Sequence, residues 1–321
     1  MINRELIRIK IVQLTYAYYQ NGNKNIDTAE KELFFSLSKA YDLYNIMLAL
    51  IVAVTKEASR RLEIAHARAK RENKPEPSHK FAFNRFALQL AGNKQLQDFI
   101  STQKSTWDEE PEFVGKLLTQ MEQTQLYKDY MEAETDDYNS DRELWRRLYR
   151  LLIQDNEELD ALLEEKSLYW NDDRNVVDSF VLKTIKRFDE NNGAKQELLP
   201  EYDTEEEKDY ARKLFRATIL NADEYQRYMS EASRNWDFSR LAYMDVVIMQ
   251  IAIAEMCTFP TIPINVTINE FVELSKIYST PRSFGYVNGM LDTIAHHLVD
   301  SGKLMKQIDE REENNGQEAG E

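Results

Sequence analysis

One cysteine, Cys257, occurs in the 321 residues, so no intramolecular disulfide can form, and a reducing, cytoplasmic setting is expected. With 9 Gly and 7 Pro, the chain has few residues for tight turns, many of which need glycine's positive φ. Long helices joined by short polar loops fit this composition. No apolar run approaches the roughly 18 residues of a membrane span. The stretch Ile46 to Val54 reads as buried helix, and no membrane partner is expected. Met1-Ile-Asn-Arg-Glu5 leads into no signal-like region.

Chemistry-bearing residues are equally sparse. The four histidines are His66, His79, His296 and His297; the adjacent pair would point about 100° apart on a helix and make poor joint ligands. Glu63-Ile-Ala-His66 and Glu76-Pro-Ser-His79 match the Glu-x-x-His pairs of di-iron bundles, but Pro77 breaks the second. Phosphate-loop, Gly-x-Ser-x-Gly and Cys-x-x-Cys patterns are missing. The expectation is a non-enzyme with no catalytic residue, metal or cofactor, in which Cys257 is a small packed residue.

What is present is charge and helical periodicity. Lys and Arg number 41 against 56 Asp and Glu, a net charge of −15. Taken globally this opposes nucleic-acid binding, which relies on cations at phosphates, so RNA contact needs a local basic patch or a basic partner. Ile7, Ile11, Leu14 and Tyr18 predict a helix over 4–20, stopped at Asn21-Gly22-Asn23. Asp27-Thr28 reads as the cap of a long helix into the seventies, ended by Lys74-Pro-Glu-Pro. Its last part sets a basic face of Lys56, Arg60, Arg61, Arg68, Lys70, Arg71 and Lys74 against an apolar stripe of Ala58, Leu62, Ala65 and Ala69. That face is a second RNA candidate or a seat for an acidic partner; Glu57, Glu63 and Glu72 dilute it, which also fits a solvated face.

Two or three helices are expected over 81–135. Asp141 to Arg174 then lays on Glu207 to Arg240 without a gap. Arg146, Leu148, Arg150, Ile153, Glu158, Glu165, Ser167, Trp170 and Arg174 recur as Arg212, Leu214, Arg216, Ile219, Glu224, Glu231, Ser233, Trp236 and Arg240. This reads as a duplicated helical unit, with chance similarity of amphipathic helix pairs as the alternative. An apolar helix follows over 240–256. Thr267-Ile-Asn-Glu270 reads as a capping box opening the next helix, and a last helix runs over 283–300.

The C-terminal third resembles the NusB family. The carrying series is Asn235-Trp-Asp-Phe-Ser-Arg240-Leu, Asp245, Ile248 to Met256, Ile262-Pro263, Ile268-Asn269-Glu270, Val272 to Lys276, and Tyr286-Val-Asn-Gly-Met-Leu-Asp292. Arg8 and Val12 to Tyr16 resemble the family's first helix. The resemblance covers about 1–20 and 203–300; family members are usually shorter, and the enlarged form looks like a Bacteroidetes-type variety. It implies an all-α fold of NusB-like helical bundles. The bundles are 1–54 and 201–300, separated by an inserted helical region 55–200 with a duplicated unit at 141–187; the acidic composition of 301–321 reads as a disordered tail. The resemblance further implies a transcription antitermination factor binding boxA-type RNA of nascent rRNA with the small-subunit ribosomal protein NusE, within the RNA polymerase antitermination complex. The alternatives are a NusB-like module in rRNA maturation and a helical scaffold without RNA binding.

Arg4, Arg8, Lys10, Gln13 and Arg282 are the candidate RNA-binding residues. Arg4 and Arg8 share a helix face near a chain end, Gln13 suits a base edge, and Arg282 precedes a helix N-terminus able to attract phosphate. Tyr16 and Tyr19 could stack on bases or be buried between helices. Glu255, Asn269 and Glu270 read as structural. Asn288 reads as fixing a nearby loop, and Gly289 as permitting close helix approach. The family usually has Arg at the position of Gln250, and fewer N-terminal arginines remain here than is common, which implies weaker direct RNA affinity.

Overall fold

The computed structural model describes residues 1–21, 25–103, 106–233 and 241–306. Among them the fold is all-α, with a lone parallel bridge between Ile2 and Tyr202 as its extended pairing. The helices are α1 (Arg4–Gln20), α2 (Ile26–Glu72), α3 (Arg85–Ala91), α4 (Lys94–Thr102), α5 (Pro111–Gln123), α6 (Gln125–Glu132) and α7 (Tyr138–Leu148). They continue with α8 (Glu157–Lys166), α9 (Arg174–Arg187), α10 (Glu205–Leu220), α11 (Ala222–Ala232), α12 (Tyr243–Thr258), α13 (Ile264–Tyr278) and α14 (Ser283–Asp300).

The chain divides into two compact units. Unit 1 holds Met1–Ile2 and Ser36–Asp203; unit 2 holds Asn3–Phe35 and the chain from Thr204 on. The first division therefore falls at 35/36 rather than at the expected 54/55, inside an unbroken α2, which carries no internal turn signal to mark it. The second falls at 203/204, against the expected 200/201.

Local chemistry explains most helix ends. Asn3 caps α1, its Oδ1 accepting from the Leu6 amide at 3.0 Å. Asn25 accepts from the Thr28 amide at 3.0 Å, so the cap of α2 lies upstream of Asp27. At the other end of α2, Asn73 adopts a positive φ of 52° and the Lys74 amide donates to the Ala69 carbonyl at 2.9 Å, a Schellman-type stop that precedes Pro75. Asn21, by contrast, is extended (φ −79°), not left-handed as expected; Gly22 and Asn23 lie outside the described residues. Thr204 and Glu207 form a reciprocal capping box on α10. The expected box at Thr267 does not open a helix. α13 starts at Ile264, directly after Pro263, whose fixed φ suits that position, and Thr267 is buried within it.

In unit 2, α12 is the central element. Val247 to Met256 are all buried, because α1, α10, α11, α13 and α14 pack around it. In unit 1, Trp145, Tyr149, Phe81, Phe86 and Phe188 are among the largest fully buried side chains. Phe81 lies 5.5 Å from Trp145 and Phe86 5.2 Å from Phe188, centroid to centroid. α7 ends in a π turn over Tyr149–Ile153, where the Gln154 amide reaches the Tyr149 carbonyl at 2.8 Å. α2 contains a window long and apolar enough to cross a membrane by length and composition, contrary to the reading from its sequence. More than half of that window is buried within the fold, so core packing accounts for its apolarity.

Candidate nucleic-acid interface

The five candidate residues all belong to unit 2, but they do not form one surface. Every residue of α1 from Leu6 to Val12 is buried, so the charges there are carried inward. Arg8 is 4% exposed and Lys10 1%. The Arg8 guanidinium grips Glu255 through Nε and Nη2 at 2.8 and 3.0 Å, and Glu270 through Nη1 at 3.0 Å. Thr267 Oγ1 donates to Glu255 at 2.6 Å, and Tyr210 donates to the same carboxylate. Burial opposes the Arg8 charge, but the Glu255 hydrogen bond and the surrounding acids outweigh it and hold the pKa above its usual value. Burial, then the Glu255 charge, pushes the Tyr210 phenol up. Arg8 and Lys10 are thus corrected from candidate phosphate contacts to interior groups. Reversing Arg8 to Glu would press a third carboxylate against Glu255 and Glu270, so lost RNA capture in that variant would report misfolding.

Arg4 stays exposed, its guanidinium carbon 5.2 Å from the Tyr210 ring centroid. Nine residues along α1, or about 13 Å of helix axis, lies Gln13, which donates to Tyr278 Oη at 3.1 Å. Tyr278 ends α13, and exposed Arg282 stands just before α14. Ser283 ties this loop down by donating to Asp245 Oδ2 on α12 at 2.9 Å. Two residues before Asp245, Tyr243 opens α12, with its ring edge-on to Tyr16 at 5.8 Å. Tyr16 and Tyr243 are 39% and 45% exposed, and Phe284 is 44% exposed. Lys276 Nζ lies 5.6 Å from the Phe284 centroid while pairing with Glu273.

Gln13, Tyr16, Tyr243, Tyr278, Arg282 and Phe284 therefore gather at one end of unit 2. Open aromatic faces beside a cation and an amide suit unpaired bases and their phosphates. The sequence pointed to Gln13, Tyr16 and Arg282 here but missed Tyr243, Tyr278 and Phe284. Each sits at a helix terminus, where apolar periodicity gives no signal for burial; an aromatic at a helix end beside a loop cation was the available clue. Tyr19 does not join them. Gln250, 1% exposed, donates to Tyr19 Oη at 2.7 Å and to the Thr218 carbonyl at 2.8 Å, so both are committed to packing.

The basic face of α2 is largely neutralised. Lys56 pairs with Asp108, Arg60 and Arg61 with Glu57, and Arg68 and Lys74 with Glu72. Arg61 also reaches Glu122 and donates to the Gly115 carbonyl at 2.6 Å, fastening α2 to α5. In unit 1, a hollow of about 160 Å³ is lined mainly by apolar side chains, among them Ile46, Val52, Phe99 and Trp107. Among the described residues, no group of three or more His, Cys, Asp and Glu is placed to hold a metal. Cys257 is exposed rather than packed as expected; desolvation by its surroundings, reinforced by Glu224, still pushes the thiol up to about 11, which keeps it protonated.

Fold and surface together define an all-α protein with an open aromatic and cationic surface in unit 2. The NusB family model matches residues 179–296. A "Transcription antitermination protein NusB" of Salinibacter ruber is 32% identical over 132 residues, 39% of this chain and 82% of that protein. One of Geotalea uraniireducens is 34% identical over 132 residues, 41% of this chain and 88% of that protein. One of Chloroherpeton thalassium is 36% identical over 99 residues, 31% of this chain and 47% of that protein. No solved structure matches the chain. The chain belongs to the NusB family.

Proposed function

We propose that this protein is a transcription antitermination factor that takes up boxA-type RNA of nascent rRNA transcripts with the ribosomal protein NusE, within the RNA polymerase antitermination complex. The relatives named as antitermination proteins support the general role. The observation that carries RNA contact is the open group of Tyr16, Tyr243 and Phe284 beside Arg282 and Gln13. Bases stack on the rings, Arg282 meets a phosphate, and the Gln13 amide reads a base edge. No bond is made or broken; the chain works as an adaptor in the cytoplasm. With Arg8 and Lys10 buried, few cations remain at this surface, which favours RNA capture that depends on the basic partner.

The test is the affinity of a boxA-type RNA oligonucleotide for wild type, Tyr16→Ala, Tyr243→Ala and Arg282→Gln, each with NusE. Loss of a stacked base costs about 1–3 kcal/mol, so each tyrosine variant should weaken binding several-fold or more. Arg282→Gln should flatten the salt dependence by roughly 0.7 in log–log slope. Unchanged affinity in all three variants would remove this surface as the RNA contact, and no binding even by wild type with NusE would leave the scaffold reading in its place.

A further inference from the structure

Unit 1 carries a basic surface that the sequence pattern does not single out. α7 and α9 pack antiparallel: Arg142 donates to the Phe188 carbonyl at 2.7 Å, Tyr149 to Asp178 at 2.5 Å, and Arg174 to the Ile153 carbonyl at 3.0 Å. These three ties fix which side of each helix faces inward. Arg142 and Arg146, four residues apart, line one edge of α7 about 6 Å apart, and Arg150 follows in the π turn. Lys186 lies on the matching solvent edge of α9, with Lys183 at the next flank. Arg150, Lys183 and Lys186 are exposed, and Lys183 rests against the Phe180 ring at 5.8 Å. The acid among them, Glu143, is held by Arg146 at 2.6 Å.

The contrast with α2 is one of pairing. Most cations of its basic face are matched by acids. Along α7 and α9, four arginines at 142–150 meet one acid, and Lys183, Lys186 and Arg187 follow within five residues. Arginine forks suit phosphate oxygens better than a diffuse acidic surface needs. Their one-turn stride is comparable with the spacing of successive phosphates in an extended strand.

We propose that the α7–α9 face of unit 1 is a second RNA-contact surface, gripping the phosphodiester backbone without reading sequence. The proposal rests on the RNA-binding reading of the chain. On it, unit 1 supplies added phosphate contacts to a protein whose net charge is −15.

The experiment uses the full chain and a labelled 30-nucleotide oligouridylate, with affinity followed across a salt series. Wild type is compared with the double variant Arg150→Gln, Lys186→Gln and, separately, with Tyr16→Ala, Arg282→Gln. Both α7–α9 positions are exposed, so folding should be kept, as circular dichroism would verify. Losing two phosphate contacts should flatten the log–log salt slope by roughly 1.4 and weaken binding roughly tenfold. Wild-type slope and affinity in the α7–α9 variant, with binding lost in the unit 2 variant, would overturn this proposal and leave the RNA-binding reading standing. Absence of RNA binding by wild type even at low salt would remove both. Capture of polyglutamate instead of RNA, lost in the α7–α9 variant, would overturn it in favour of an acidic protein partner.

Discussion

Glu255 accepts hydrogen bonds from Arg8, Tyr210 and Thr267 at a position with no solvent exposure. A buried pair of this kind adds little net stability over a well-packed apolar replacement, yet breaking it leaves the buried Arg8 charge with only the half-exposed Glu270 to answer it. Glu255→Ala is therefore expected to lower unfolding stability by about 3–5 kcal/mol, measured by urea denaturation. The double variant Arg8→Met, Glu255→Leu should cost much less than either single change, because no uncompensated charge remains. A small loss in Glu255→Ala would contradict the network. The sequence marked Glu255 as structural, but it placed Arg8 on a surface. Physically, an arginine on a helix reads as solvated unless its partner is known. Here the partner lies 247 residues away, beyond any local pattern. Lys10 was misread because two faces were assigned to a stretch, Leu6 to Val12, that is buried on all sides.

Among elements, the repeat finds support in the boundaries themselves. In the register that sets Asp141 on Glu207, α8 falls on 223–232, where α11 spans Ala222–Ala232. α7 with its π turn falls on 204–219, against α10 at Glu205–Leu220. Leu148, Tyr149, Leu159, Leu163, Val181 and Ile185 are buried, and so are their counterparts Leu214, Phe215, Tyr225, Met229, Val247 and Ile251. We propose duplication as the source of this match; Trp236 and Arg240, the partners of Trp170 and Arg174, lie outside the described residues. Helix existence was readable because apolar spacing over many residues sums to a clear signal. Starts such as those of α2 and α13 were not, because one asparagine or proline decides them. Gly289 was read as permitting close helix approach, yet a Cβ built there meets no heavy atom within 4 Å. Its place is exposed mid-α14. Gly289→Ala should therefore stabilise the protein by about 0.5–1 kcal/mol through restored helix propensity, seen as a higher melting temperature. A lower one would show that the position needs glycine.

For the whole molecule, the proposed role asks a chain of net charge −15 to hold RNA. Distant acids are screened over about 8–10 Å at physiological salt, so affinity follows the cations that touch the strand. Among the candidate cations of unit 2, Arg282 at the aromatic end and Arg4 at the other end of α1 stay exposed, while Arg8 and Lys10 face inward. A basic ribosomal protein gains from the same acidic surface, because opposite potentials speed encounter and fix orientation. RNA affinity should accordingly be weak for the chain alone and clearly tighter with NusE present, while NusE capture itself should weaken as salt rises. The check is a titration of boxA-type RNA at two salt concentrations, with and without NusE, for wild type and Arg282→Gln. The steeper salt slope belongs to the mixture, where the partner's own cations add phosphate contacts at roughly 0.7 each for a single strand. Arg282→Gln should lower the slope by the same step in both conditions, because its contact belongs to this chain. Equal affinity with and without NusE would mean that this chain supplies every contact, and the partner-dependent mechanism would fall.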